Sequence, residues 1–210
     1  MRYRSEHKER VRRRILTETV SLIRASGLSY VSLSAVMSQV GMTVGGFYLY
    51  FDSKAQLLTD AIDELFEQDL AVLRSLTIDQ EPAHAITAYI DRYLGRTSLT
   101  YLGIYGCTGD MNDSCLQRID EGFQKLNDAL SPLIAAVRQC PQDAARSIAY
   151  SVVAELYGAV CIAAMVRDGE LRARMRIQSE RSIKCRIGLV GACTLSESRK
   201  GGLARLDDCS

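Results

Sequence analysis

Between residues 31 and 54 the chain carries side chains suited to a polyanionic surface. Ser32, Thr43, Tyr48 and Tyr50 offer hydroxyls and Lys54 an ammonium to phosphate oxygens, while Val44 and Leu49 offer apolar contact to thymine methyl groups. Gly45 and Gly46 stand among them without side chains. Each costs a helix about 1 kcal/mol relative to alanine, so a helix selected for stability alone would avoid them. Their use here is to let a backbone approach a duplex closely.

Positioning these groups takes two helices and a tight turn. Leu33, Val36, Met37 and Val40 recur at helical spacing, stop at Gly41, and restart behind Thr43. Gly41 supplies a left-handed residue to end the first helix, and the Thr43 hydroxyl is placed to cap a second helix over residues 43–50. This is a helix-turn-helix pattern, whose second helix lies in a major groove. Next, Ser53 and Gln56 form a capping box that opens a long helix over residues 53–76, where the helix N-terminus and Lys54 suit a backbone phosphate.

The run from Gly41 to Lys54, GMTVGGFYLYFDSK, followed by Leu57 resembles the DNA-binding head of the TetR family of bacterial transcriptional repressors. The aromatic run Phe47, Tyr48, Tyr50, Phe51 and the Ser-Lys helix start make the match more specific than a bare helix-turn-helix. The similarity covers roughly residues 10–65; beyond it, only helix order and Gly106-Cys107 are family-like. The chain departs from the pattern where Met37 and Val40 replace small residues. The resemblance implies a homodimer that represses transcription, a double-stranded DNA operator, a small-molecule effector bound in the body, and an interface formed by the last two long helices.

Composition agrees with this division. The 210 residues, 47% hydrophobic and 24% charged, suit a small head and a larger core-bearing body. Of a formal net charge of +1, residues 1–54 hold nine Lys and Arg against four Asp and Glu, and the remainder seventeen against twenty-one. The basic excess therefore sits where phosphate contact is expected. Seven cysteines without a Cys-x-x-Cys pair, two histidines, and no apolar leader point to reduced thiols in the cytoplasm, with no metal site and no cofactor. No nucleophile–base pair or carboxylate dyad suggests an enzyme.

The expected fold is all-α: a helix-turn-helix head over residues 1–52, an effector-binding and dimerisation body over 53–194, and a disordered tail over 195–210. A first helix over residues 5–26 turns Val11, Ile15, Leu16, Thr19, Val20 and Ile23 to the head core, preceded by a basic arm of Arg2, Arg4 and Lys8. The fourth helix is expected to keep Asp60, Asp63, Glu64, Glu67 and Asp69 on an exposed acidic face. Pro82 and Pro141 open further helices; one runs to about residue 102, and Pro132 is expected to kink or restart another.

Residues 147–166 hold Glu155 as their only charge and are long enough to cross a bilayer. A carboxylate at the midplane would cost about 2.5–3.5 kcal/mol, and the small residues around it suit helix–helix contact, so the stretch reads as a protein-buried helix. With a last helix over residues 169–191 it gives a dimer face spanning about 144–190. Candidate effector-binding residues are Tyr89, Tyr93, Cys107, Phe123, Tyr150, Glu155 and Tyr157, rings with polar tips joined by one thiol and one carboxylate. Arg is the alternative partner for Glu155. Two alternatives share the fold: a regulator sensing electrophiles or oxidants through Cys107, with Cys115 as resolving thiol, and a transcriptional activator.

Overall fold

A computed structural model describes residues 2–95 and 113–190, and all regular structure among them is helical. The α-helices are α1 (Arg2–Ser26), α2 (Leu33–Gln39), α3 (Val44–Phe47), α4 (Lys54–Thr77), α5 (Pro82–Leu94), α6 (Asp113–Arg138), α7 (Gln142–Met165) and α8 (Gly169–Ile187). Tyr101, Tyr105, Cys107 and the tail over residues 195–210 lie outside the described residues.

Helix α1 buries Ile15, Thr19, Val20 and Ile23, with Val11 and Leu16 half-buried beside them. Gly27, at φ 95°, ends it. The helix begins at Arg2, so the backbone of the expected arm is helical, in keeping with the helix propensity of its Arg, Glu and Lys residues. Against this face α2 and α3 pack Val36, Met37, Val40 and Phe47. The two residues larger than the family pattern, Met37 and Val40, are both absorbed into the core, 0% and 5% exposed.

Helix α4 joins head to body. Leu57, Ala61, Ile62, Leu65, Phe66, Leu70 and Leu73 form its buried stripe, part of one buried cluster that runs from Ile15 to Ile187. The expected acidic outer face is corrected here. Asp69 is 1% exposed, and other carboxylates meet cations: Asp60 bonds Arg12 of α1, Asp63 lies 3.5 Å from Arg118 of α6, and Glu67 lies 2.8 Å from Arg74. Packing of α1 and α6 on α4 brings Arg12 and Arg118 in, which helical spacing alone does not reveal, whereas Arg74 belongs to α4 itself. Burial outweighs the Arg118 cation at Asp63 and leaves its carboxyl above the usual range.

In the body α6 packs on both α4 and α7, and α8 closes over α7. The expected restart at Pro132 is absent, because α6 runs through it unbroken. Leu130, Ser131 and Ile134 are fully buried around it, and that packing offsets the lost backbone hydrogen bond. Helix α5 ends at Leu94, and the rest of its expected length lies outside the described residues. Helix α8 starts at the Asp168 cap, which accepts from Glu170 N at 2.8 Å, and ends at Gly188 (φ 88°) rather than near Gly191.

Helix α7 is long and apolar enough to cross a membrane by length and composition, with 39% of its most apolar stretch buried inside the protein. Val152, Val153, Leu156, Tyr157 and Val160 face inward, while Tyr150, Ile162 and Met165 are exposed.

Candidate nucleic-acid interface and body groove

The aromatic run at residues 47–51 divides by direction. Phe47 and Phe51, four residues apart, stack at 5.5 Å and are buried, 0% and 1% exposed, so they anchor α3 to the head core. Tyr48 and Leu49 between them are thrown outward, 62% and 65% exposed, and Val44 is 41% exposed. A run of large apolar side chains left in water on one edge of a small head is a surface built for contact.

Ser32, Thr43, Gly45 and Lys54 are exposed as well, whereas Gly46 and Tyr50 are half-buried. Helix α3 spans only Val44–Phe47, with turns through Tyr50, so the expected 43–50 helix is shorter than its spacing suggested. Ser32 caps α2 by accepting from Ala35 N at 3.1 Å. Thr43 precedes α3 without a side-chain cap bond, contrary to expectation, which leaves its hydroxyl uncommitted to that helix. Gly41 takes φ 71°, the left-handed turn its type implies. A β-carbon at Gly45 would come no nearer than 4.0 Å to Thr43 Oγ1, and one at Gly46 would lie 3.5 Å from Met42 Cε. The protein's own packing therefore demands neither glycine.

Lys54 opens α4 behind the Ser53 cap, which accepts from Gln56 N at 3.1 Å, while Gln56 Oε1 accepts from Asp52 N at 2.7 Å. The box thus closes on Asp52 rather than on Ser53. Of the basic residues of α1, Arg12 is committed within the head: it bonds Asp60 and lies 4.7 Å over the Phe51 ring. Arg13 and Arg14 remain exposed. Tyr30, 78% exposed, joins this head surface without having been expected; its only sequence signal is an aromatic residue beside a helix cap.

The sequence profile of the bacterial regulatory proteins of the tetR family matches residues 15–61, the second half of α1, the turn-linked pair and the start of α4. Residues 15–61 are therefore similar to the DNA-binding head of that family. The fold of the chain is that of a TetR transcriptional regulator from Legionella pneumophila (TM-score 0.69, 16% identity, 81% of this chain and 96% of that one). It is also that of the reduced form of E. coli NemR (TM-score 0.70, 18% identity, 82% of this chain and 95% of that one). RolR, solved in complex with its ligand resorcinol, matches at TM-score 0.55 and 16% identity over 90% of this chain and 91% of that one. No curated protein matches the chain.

The body has a groove of about 700 Å³ between α6 and α7. Helix α6 contributes Asp120, Phe123, Gln124 and Asn127; α7 contributes Tyr150, Val153, Tyr157, Gly158 and Met165, with Cys161 among them. Three of the expected effector residues, Phe123, Tyr150 and Tyr157, are therefore brought together. Tyr89 and Tyr93 are not in the wall: both are 1% exposed, and the Tyr93 ring packs at a tilt against Tyr157, centroids 5.1 Å apart. Glu155 is not in the wall: it bonds Arg186 at 2.6 Å, with Ser182 at 3.3 Å, the arginine pair that was the alternative to an effector contact. Sequence reading missed Asn127 and Cys161, since an amide and a thiol on helices carry no periodic signal.

The wall reaches the connector. Phe123 packs edge-on to Phe66 of α4 at 5.1 Å and to Tyr157 at 4.8 Å, and the Tyr157 hydroxyl faces Asp69 of α4 at 3.5 Å. Burial pushes the Cys115 and Cys161 thiols up, so both stay protonated near neutrality. Among the described residues no group of His, Cys, Asp and Glu is placed to hold a metal ion.

Proposed function

We propose that the protein is a homodimeric, cytoplasmic transcriptional repressor that releases a palindromic operator when a small molecule occupies its body. The observation that carries this reading is the outward set Val44, Tyr48 and Leu49 on a head whose Phe47 and Phe51 are locked inward, with Lys54 at the start of the helix that also cores the body. Ser32, Thr43, Tyr48, Tyr50 and Lys54 hold phosphates, Val44 and Leu49 touch bases, and Gly45 and Gly46 permit close approach.

The head spans residues 1–52 and the body 53–194. Dimerisation uses about residues 144–190, where Ile162, Leu171 and Ile177 leave apolar surface in water outside the groove. Two heads then sit about 34–36 Å apart, or at another spacing set by the body. A ligand wedged against Phe123 and Tyr157 acts on α4 through Phe66 and Asp69 and biases the spacing of the heads by its differential affinity for the two arrangements. The ligand-bound RolR supports a small molecule in a body of this fold.

The test is fluorescence anisotropy of the full chain with duplex DNA from its own upstream region, alongside light scattering. A dimer that binds with steep salt dependence is expected; a monomer indifferent to duplex DNA at low ionic strength overturns the reading.

A further inference from the structure

Asn127 is 4% exposed and belongs to the groove wall. Its Nδ2 donates to the Phe123 carbonyl at 2.9 Å. A carbonyl oxygen only accepts, so this bond fixes which end of the amide is nitrogen and leaves Oδ1 as an acceptor. Oδ1 is buried and has no hydrogen-bond partner among the described residues, an arrangement that is costly unless something else supplies a donor.

Gly158 lies in the same wall. Glycine is a poor choice for the interior of a helix, and a β-carbon there would meet no atom of the described residues within 4 Å, so their packing does not require the vacancy. The rest of the wall is aromatic and soft, with the Phe123 and Tyr157 rings, Val153, Cys161 and Met165. Asp120 is its only charged member among the described residues. An anion would meet a carboxylate and no counter-charge.

We infer that the groove takes a flat, uncharged aromatic ligand carrying an O–H or N–H donor, which Asn127 Oδ1 accepts, with the ring seated over Gly158. This rests on the body being the effector domain and names the class of molecule it reads.

Titration calorimetry of the full chain, without DNA, tests it with 2-naphthol, 2-methoxynaphthalene and 2-naphthoate, which share one ring system and differ in donor and charge. The naphthol should bind about tenfold or more tighter than the ether, the difference of one buried hydrogen bond, and the naphthoate weakest. Asn127→Leu should bring the naphthol to the affinity of the ether. Gly158→Leu should abolish binding of both without lowering Tm, and it decides the matter if Asn127→Leu does not fold. Equal binding of naphthol and ether, tightest binding of the naphthoate, or no binding by any of the three overturns the inference. Bound naphthol that leaves operator affinity unchanged overturns the release mechanism and keeps the ligand class.

Discussion

The ring of Phe66 lies directly on the backbone of Gly122: a β-carbon built there would stand 2.2 Å from Phe66 Cδ2 and 2.4 Å from Cε2. Helix α4, which the head shares, is thereby seated on α6 through a contact that only glycine permits, one residue before Phe123 enters the groove wall. Gly122→Ala should cost about 1–3 kcal/mol by overpacking. Urea unfolding checks this, and Phe66→Leu in the same chain should recover part of the loss.

Gly45→Ala should separate stability from function. The β-carbon has room, so the head should gain up to about 1 kcal/mol of helix stability while operator affinity falls. A thermal melt and an anisotropy titration on the same preparation would show the two moving in opposite directions.

Lys54→Ala should weaken operator binding and reduce the slope of log K against log salt by about 1. Tyr48→Phe should weaken binding with little change in that slope, because a hydroxyl displaces no counterion. An unchanged slope for Lys54→Ala removes it from the phosphate contacts.

Glu155→Gln should act on folding alone. Losing the charge that holds Arg186 at 2.6 Å should cost about 1–2 kcal/mol, measured by urea unfolding. Affinity for any groove ligand should stay unchanged, since Glu155 is outside the wall.

Lys184 supplies an alkaline dependence. Burial acts against its charge, but hydrogen bonds with Asp91 at 2.7 Å and Glu180 at 2.8 Å outweigh it and raise its pKa. A raised folded value means the stabilisation is complete below the unfolded pKa near 10.5 and is lost as pH rises through the folded one. Lys184→Met should be less stable at pH 8 and lose less stability than the parent on going to pH 11, by denaturant midpoint.

Much of the head was legible because its signals are local. The Ser53 cap, the left-handed Gly41 and the apolar face of α1 depend on residues within a turn or two of one another, and each took the expected place. Local reading failed where spacing competes with a neighbour: Thr43 does not cap α3, and α6 passes through Pro132 because burial on both sides holds it.

The sequence by itself determined the all-helical class and most of the helix order, since periodicity and capping are short-range properties. Only the tertiary structure decided what the body residues do. Tyr89 and Tyr93 went to the core, Tyr150 to the groove, Glu155 to Arg186, Asp69 inside α4, and Gly122 under Phe66. Those assignments depend on which helix packs on which, and a side chain's direction relative to a distant neighbour leaves no periodic trace along its own helix.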